Sequence, residues 1–258
     1  MSDPTPLDRA HAIMMNAPDN EEARLAYYAL LADTEIHLLL EGEPEGDVIE
    51  PQFAELEDGT YVLGFDSPER LTKFAEGPAP YAAVSGRVLA GMLSEEGAGL
   101  ALNLGVAESS IVLHVDAMAW MENALGAEPK EKGGVLGALK SPDVPEVLLH
   151  TLDAKLVRAA GLADVAYLCG QEDGSLVLAI LGADERAQAP LAKAASEALV
   201  FSGLEDLSLD VAFFNDAPEL RSQLSRVGMR FEIPVPVKQE AYEPQTPGSD
   251  PNNPPKLR

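Results

Sequence analysis

Residues 59–121 constrain the fold more than any other part of the chain, because strand, helix-cap and turn signals alternate there at short intervals. Residues 60–65 have the composition of a strand. Ser67 follows as a helix N-cap with Pro68 at the first helical position, since a serine hydroxyl accepts an orphan N–H and proline has no N–H to leave unpaired. Gly77 ends this helix. The segment therefore predicts a strand joined to a capped helix.

Two more strands, at 81–84 and 100–103, flank a helix at 86–96 in the same segment. We interpret these strands and helices as an α+β core. The Gly-Ala-Gly sequence at 97–99 has the composition of a phosphate-binding loop, but it follows a helix and precedes a strand, which reverses the order found in a dinucleotide loop. We therefore predict that Gly97 caps the helix C-terminus.

These elements resemble a known family. The strand ends in Phe, the capped helix contains Arg-Leu and a later Phe, and a Tyr precedes a Gly-Arg-x-Leu helix followed by Gly-x-Gly-Leu-x-x-Asn. In this chain the matching residues are Phe65, Ser67, Arg70, Leu71, Phe74, Tyr81, Gly86, Arg87, Leu89, Gly97, Gly99, Leu100 and Asn103. The pattern resembles the N-terminal domain of the SseB family over residues 21–125, with Leu-Gly at 104–105 where the family usually has Pro-Gly. Residues 145–233 resemble the family's C-terminal domain.

The resemblance implies a fold and a physiological context. The matching residues form a pattern of packing and turns, so they carry no catalytic assignment. The family is linked to serine sensitivity, which implies a modulating role in amino-acid metabolism.

Composition excludes several classes of partner. The chain of 258 residues has a formal charge of −25 at pH 7, whereas nucleic acids and anionic membranes bind through Lys and Arg. No apolar run approaches the ~18 residues of a membrane helix, and the first residues lack the features of a signal peptide. The single cysteine excludes an intrachain disulfide and a cysteine-based zinc cluster. We expect a cytoplasmic protein of bacterial type without a cofactor or bound metal.

Glycine and proline divide the chain into parts. Residues 128–143 are rich in both, which is typical of a domain boundary. The predicted fold class is α+β, with two small mixed sheet-plus-helix domains at 1–127 and 144–233 joined by this linker. Residues 234–258 contain seven prolines and few large apolar residues, so we expect a disordered tail.

Capping and turn residues predict further elements. Asn20 is expected to cap a helix at 21–32, and Asp116 to cap a helix at 117–125. The Asp-Gly pair at 173–174 lies between two strand-like runs and predicts a β-hairpin.

Residues 41–58 contain eight carboxylates and no basic residue. We interpret them as an acidic loop that leads to an edge strand. One hypothesis is that the charges only keep the protein soluble. The other is that they steer a protein partner with a basic surface, because concentrated like charges raise encounter rates. The binding residues would then be Glu41, Glu43, Glu45 and Asp47.

Arg70 and Arg87 are notable cations in so acidic a chain. They could contact a partner or bind a small anion such as an amino-acid carboxylate. The alternative is structural: they pair with Asp66, Glu69 or Glu95 and cover apolar surface. Isolated charges on the surface contribute little free energy, which favours the structural interpretation.

His37 and His114 each lie in an apolar strand. If those strands are neighbours, the two imidazoles could meet on one sheet face and act as a base or as ligands. The alternative is that each lies under a covering helix or at a sheet surface. We favour the alternative, because no serine, cysteine or carboxylate partner occurs at an informative spacing.

Two other patterns allow a chemical interpretation but favour a structural one. Glu146, His150 and Asp153 lie on one helix face, and such spacing can hold a metal. One helix alone supplies too few ligands, so a solvated face is favoured. Cys169 ends a strand without a nearby cation or helix N-terminus, which predicts a buried, inert thiol.

The residues and the resemblance together predict a non-enzymatic cytoplasmic protein with a regulatory or protein-interaction role. The alternative is a small-molecule-binding sensor or an enzyme that uses His37, His114 or Arg87.

Overall fold

The computed structural model describes residues 4–44, 46, 48–126, 138–204 and 206–236. In this part of the chain, the strands form two mixed sheets and the helices pack against them, which confirms the predicted α+β class. The helices are α1 Pro6–Asn16, α2 Glu21–Ala32, α3 Pro68–Phe74, α4 Gly86–Glu96, α5 Val115–Gly126, α6 Glu146–Val157, α7 Glu185–Phe201 and α8 Pro218–Val227. The strands are β1 Glu35–Leu39, β2 Phe53–Leu56, β3 Gly59–Phe65, β4 Tyr81–Ser85, β5 Gly99–Leu102, β6 Ile111–Leu113, β7 Leu139–Lys140, β8 Val165–Gln171, β9 Leu176–Leu181, β10 Leu209–Phe214 and β11 Met229–Glu232.

The first sheet has the order β4-β1-β3-β5-β6, and β2 pairs with β3 beside this path. Strand β3 runs parallel to β5 and antiparallel to β1. Helices α1, α2, α4 and α5 cover one face of the sheet, where Leu31 and Leu89 are buried. Helix α3 covers the other face with Leu71, which packs in one cluster with Phe65. We call this sheet and α1–α5 the first unit.

The second sheet has the order β10-β9-β8-β11, and β7 also pairs with β8. Strands β8 and β9 form the predicted antiparallel hairpin, whereas β9 and β10 run parallel. Helices α6 and α7 cover one face around Leu152 and Leu191. Helix α8 covers the other face through Leu224. We call this sheet and α6–α8 the second unit.

Three predicted helix ends are confirmed, whereas Gly77 is not the end of α3, which stops at Phe74 with Glu76 in the left-handed conformation. The side chains of Asn20 and Ser67 accept hydrogen bonds from the backbone N–H of the third residue of α2 and α3 respectively. Gly97 ends α4 in the left-handed conformation, with φ of 68°, which glycine adopts without a steric cost. The Gly-Ala-Gly sequence is therefore a helix end, as predicted.

One predicted cap is wrong. Helix α5 begins at Val115, so Asp116 lies inside its first turn. The backbone N–H of Ala117 donates to the carbonyl of His114 instead. Asp116 suits this position because the N-terminal end of a helix dipole favours a carboxylate.

The two units share an apolar contact. Phe201 at the end of α7 is buried in the core cluster of the first unit, where its ring lies 5.8 Å from that of Trp120. The second unit therefore completes the core of the first.

The predicted linker and tail lie mostly beyond the described residues, since 127–137 and 237–258 are not among them. The last part of the predicted linker contains β7, which pairs with β8 through Leu139 and Gln171. At the start of the predicted tail, the carbonyl of Pro234 accepts a hydrogen bond from the N–H of Gly161.

Candidate functional site

Six exposed carboxylates lie on the loop after β1 and on β2 with its turn, and we call them the acidic edge: Glu41, Glu43, Glu50, Glu55, Glu57 and Asp58. Within the described part of the chain, no salt bridge includes any of them. Two predicted members of the binding site, Glu45 and Asp47, lie outside the described residues. The charges of the acidic edge are thus concentrated in one short part of the first unit, and none of them is neutralised by an ion pair within the described residues.

Apolar side chains are exposed beside the acidic edge. Val48 is 66% exposed and Phe53 is 48% exposed. Strand β2 pairs with β3 on one side, and on its other side it pairs with no strand that the structure describes. Charged side chains protect such an edge from aggregation, and an extended peptide can also add to it. The acidic edge therefore combines negative charge, apolar surface and a sheet edge.

Arg70 lies within a network that joins α1 to α3. Its guanidinium donates to Asp66 at 2.7 Å and to Asp8 at 2.9 and 2.5 Å. The Asp66 side chain is 1% exposed and also accepts from the Thr5 hydroxyl at 2.7 Å. The Ser109 hydroxyl donates to Asp8 through a short hydrogen bond. The donors of Arg70 are therefore occupied by two carboxylates from its own unit.

The same network holds Asp8 in its ionised form. Burial opposes ionisation of this carboxyl, but hydrogen bonds from Arg70, Ser109 and the Thr5 backbone outweigh burial and lower the pKa of Asp8. The buried Asn103 extends the network, since its side-chain oxygen accepts from the N–H of Asp66 at 3.1 Å. This contact gives a structural role to the last residue of the SseB-like pattern.

Arg87 lies in a second network, which crosses the contact between the two units. Its guanidinium donates to Glu197 of α7 at 2.9 Å and to Asp33 at the end of α2 at 2.7 Å. Lys155 of α6 donates to the same two carboxylates, at 2.9 and 2.8 Å. Arg158 donates to the backbone carbonyl of Asp33 at 3.0 Å. We call these five residues the ion cluster.

The ion cluster is largely withdrawn from solvent. The side chain of Glu197 is 2% exposed and that of Lys155 is 8% exposed. Burial alone raises the pKa of Glu197, but hydrogen bonds and positive charge from Arg87 and Lys155 lower it below its ordinary value. Asp33 has a lowered pKa for the same reason. The cluster therefore favours the charged state of both carboxylates.

The structural interpretation of the two arginines is thus the one that the geometry supports. Of their three predicted partners, Asp66 pairs with Arg70. Glu69 and Glu95 appear in no ion pair of the described residues, and the partners Asp8, Asp33 and Glu197 were not predicted. The missed partners lie 54 to 110 residues away from their arginines. A carboxylate beside the apolar stripe of α7 was the one available signal for Glu197.

The two histidines do not meet. His37 lies on β1 and His114 follows β6, and strands β3 and β5 lie between them. Three strand spacings correspond to about 14 Å. His37 is buried, with Nδ1 3.3 Å from the carbonyl oxygen of Phe65. His114 is half exposed, with Nδ1 3.2 Å from a carboxylate oxygen of Asp116. The structure therefore excludes the shared histidine site, which was the less favoured of the two hypotheses.

Two predicted candidates remain, the α6 face with Glu146, His150 and Asp153 and the thiol of Cys169. Among the described residues, no group of three or more His, Cys, Asp and Glu side chains could hold a metal ion, and this includes the face of Glu146, His150 and Asp153. Cys169 is buried, and burial raises the pKa of its thiol. The predicted buried thiol is confirmed.

The fold and these sites define an acidic α+β protein whose two units meet at an ion cluster, with an acidic sheet edge on the first unit. Residues 9–120 match the family model described as the SseB protein N-terminal domain, which supports the resemblance of the first unit to the SseB family. The resemblance of residues 145–233 to the family's C-terminal domain stays a prediction. No curated protein and no solved structure matches the chain. No helix in the described residues has both the length and the apolar character needed to cross a membrane.

Proposed function

We propose that the protein acts by binding rather than by catalysis, and that its acidic edge binds a basic surface of a partner protein. The observation that carries this proposal is a group of exposed carboxylates that form no ion pair within the described residues, next to exposed Val48 and Phe53. Negative charge steers a basic partner, and apolar side chains supply contact area once the partner has arrived. Strand β2 additionally offers an edge to an extended segment of that partner.

The surroundings of the other polar residues support binding over catalysis. A nucleophile or general base needs a partner within hydrogen-bond reach and a place for the substrate. His37 lies on β1 and His114 follows β6, two strands that are not neighbours, and the guanidinium groups of Arg70 and Arg87 are engaged by carboxylates. These residues therefore support the fold in our proposal.

The family resemblance supplies the cellular context of the proposal. We place the protein in the cytoplasm as a regulatory protein linked to serine sensitivity and amino-acid metabolism. In this role it would modulate the activity of the partner that the acidic edge binds.

Affinity capture tests the proposal. An edge variant neutralises two residues of the acidic edge together with the two other predicted binding residues of the same segment: Glu41→Gln, Glu43→Gln, Glu45→Gln and Asp47→Asn. A matched control neutralises four exposed carboxylates elsewhere on the first unit: Glu95→Gln, Glu96→Gln, Glu108→Gln and Glu122→Gln. Wild type, edge variant and control are used to capture proteins from a lysate at about 50 mM and about 300 mM salt.

We expect a stoichiometric basic protein that wild type and control capture at low salt and that the edge variant does not. High salt should weaken its capture, because screening reduces the attraction between exposed charges. Equal capture of that protein by the edge variant would contradict the acidic edge as the binding site. A metabolite retained instead of a protein would favour the sensor alternative.

A further inference from the structure

A trough lies between the two units, lined by Asp33, Lys155 and Arg158 of the ion cluster but not by Arg87. Helices α2 and α6 form its walls and α7 forms its floor, with a volume of about 250 Å³. Just over half of the side chains along it are apolar, among them Ala29, Leu30, Ala154 and Phe201, and His150 and Thr151 of α6 add polar groups between them. Small alanines on both walls leave the space open. Such apolar clefts at the junction of two units are common sites for small molecules.

One end of the trough is cationic. Lys155 and Arg158 line it there, together with Asp33. The whole ion cluster contains three cations and two carboxylates, so it has one positive charge in excess: Asp33, Arg87, Lys155, Arg158 and Glu197. This excess is partly withdrawn from water in a protein of charge −25. An anion at the end of the trough would balance it.

Arg158 has donors available for such an anion. A guanidinium carries five N–H donors, and the described contacts of Arg158 are to Asp33, through its carbonyl at 3.0 Å and its carboxylate at 3.4 Å. The side chain is 47% exposed, so a ligand can reach it. Arginine is also the side chain best suited to bind a carboxylate through two parallel hydrogen bonds.

The opposite end of the trough does not compete for the anion. Glu22 lies eleven residues before Asp33, at the start of α2, which places it about 16 Å away along the helix axis. The positive charge is therefore at one end, and the apolar walls extend from it.

We propose that this trough binds a small organic monoanion, with its carboxylate against Lys155 and Arg158 and its apolar body over Ala154 and Phe201. This site is separate from the acidic edge. The acidic edge is negatively charged and lies in the first unit alone, whereas the trough has a positively charged end and lies between the units. A ligand here contacts α2 of one unit and α6 and α7 of the other. Occupancy would thus strengthen the contact between the units.

Hexanoate is the probe that tests the site, with 1-hexanol and hexylamine as neutral and cationic molecules of similar apolar length. Trp120 is the chain's single tryptophan, and its ring contacts Phe201 on the trough floor. Its fluorescence therefore reports binding without a label. Because a hydrogen bond to a charged group is worth tenfold or more in affinity, we expect hexanoate to bind about tenfold more tightly than 1-hexanol and hexylamine to bind more weakly still.

Two substitutions locate the ligand. Arg158→Gln should raise the Kd for hexanoate about tenfold, to near that for 1-hexanol. Ala154→Leu should weaken the binding of both hexanoate and 1-hexanol, because the larger side chain fills the trough. Arg186→Gln is the matched control, since Arg186 is exposed on α7 and does not line the trough. It changes net charge as Arg158→Gln does and should leave hexanoate binding unchanged.

Several results would overturn the proposal. These are no fluorescence change with hexanoate, equal affinities for hexanoate and 1-hexanol, or hexanoate binding that is unaffected by Arg158→Gln. An equal loss in Arg186→Gln would also overturn it, since it would attribute binding to overall charge. Arg158 is half exposed, so this variant should fold, and a thermal melt of each variant confirms that it has.

Discussion

The Arg87 guanidinium donates to the Glu197 carboxylate at 2.9 Å, although the two residues are 110 positions apart in the chain. Glu197 also accepts from Lys155 of its own unit. One buried carboxylate is thus shared between a cation from each unit. Removal of its charge affects the stability of both units together.

We expect Glu197→Gln to lower the free energy of unfolding by about 3 kcal/mol, because it leaves buried Lys155 without one of its two counter-charges. Urea melts at neutral pH measure this change. The matched control is Glu122→Gln, an exposed carboxylate on α5, which should change stability by less than about 0.5 kcal/mol. Equal effects of the two substitutions would mean that the ion cluster does not stabilise the contact.

The ion cluster also predicts how stability depends on pH. The folded state lowers the pKa of Glu197 from its ordinary value of 4.5, so this contribution is present above pH 4.5 and is lost as pH falls further. The pKa of Asp33 is also lowered from its ordinary value of 3.8, so Asp33 adds a further loss of stability as the pH falls below that value. Wild type should therefore lose stability more steeply than Glu197→Gln as the pH is lowered from about 6 to about 3. Parallel curves from urea melts across this range would contradict the assignment.

Arg70 offers a second stability test within the first unit. Arg70→Ala leaves the buried Asp66 without its ion-pair partner and should cost about 3 kcal/mol. Arg24→Ala removes an exposed pair with Glu21 and should cost less than about 0.5 kcal/mol. Denaturant melts of the two variants should differ clearly. A small effect of Arg70→Ala on the free energy of unfolding would contradict the structural role of this arginine.

The cap of α3 is testable on its own. Ser67 accepts from the N–H of Arg70 at 3.3 Å, so Ser67→Ala should cost about 1 kcal/mol. Ser222→Ala is the control, because Ser222 lies exposed inside α8, where alanine favours the helix. A stable Ser67→Ala protein would mean that another group satisfies the first turn of α3.

The acidic edge makes a kinetic prediction for any captured partner. Neutralisation of Glu41, Glu43, Glu45 and Asp47 should slow association several-fold at low salt and change dissociation little, since exposed charges act mainly on the encounter. The difference should shrink as the Debye length falls to ~8 Å at physiological salt. Stopped-flow association measures it. Rates that are indifferent to these four changes would leave the acidic edge with a role in solubility alone.

The local elements could be predicted because their signals are local. Asn20 and Ser67 cap helices within three residues of their own position, and Gly97 adopts a conformation that suits glycine. Asp116 shows the limit of this reasoning, since a carboxylate favours both the cap and the first turn of a helix. Only the backbone hydrogen bonds of the folded chain distinguish the two positions.

The ion cluster could not be predicted, because its partners are brought together by tertiary packing. Asp33, Arg87 and Glu197 belong to separate helix ends and faces of two units. A single sequence contains no signal for which helices of different units meet. The acidic edge was apparent in the sequence because all its charges fall in one short segment, although its exposed apolar neighbours were not.

The burial of Phe201 in the first core has a consequence for the growing chain. The first unit ends with α5 at Gly126, whereas Phe201 ends α7, about 75 residues later. At synthesis rates of roughly 5–20 residues per second, the first unit leaves the ribosome about 4 to 15 s before the side chain that covers its surface near Trp120. During that interval an aromatic site is open to solvent, where holdase chaperones and neighbouring nascent chains can bind it.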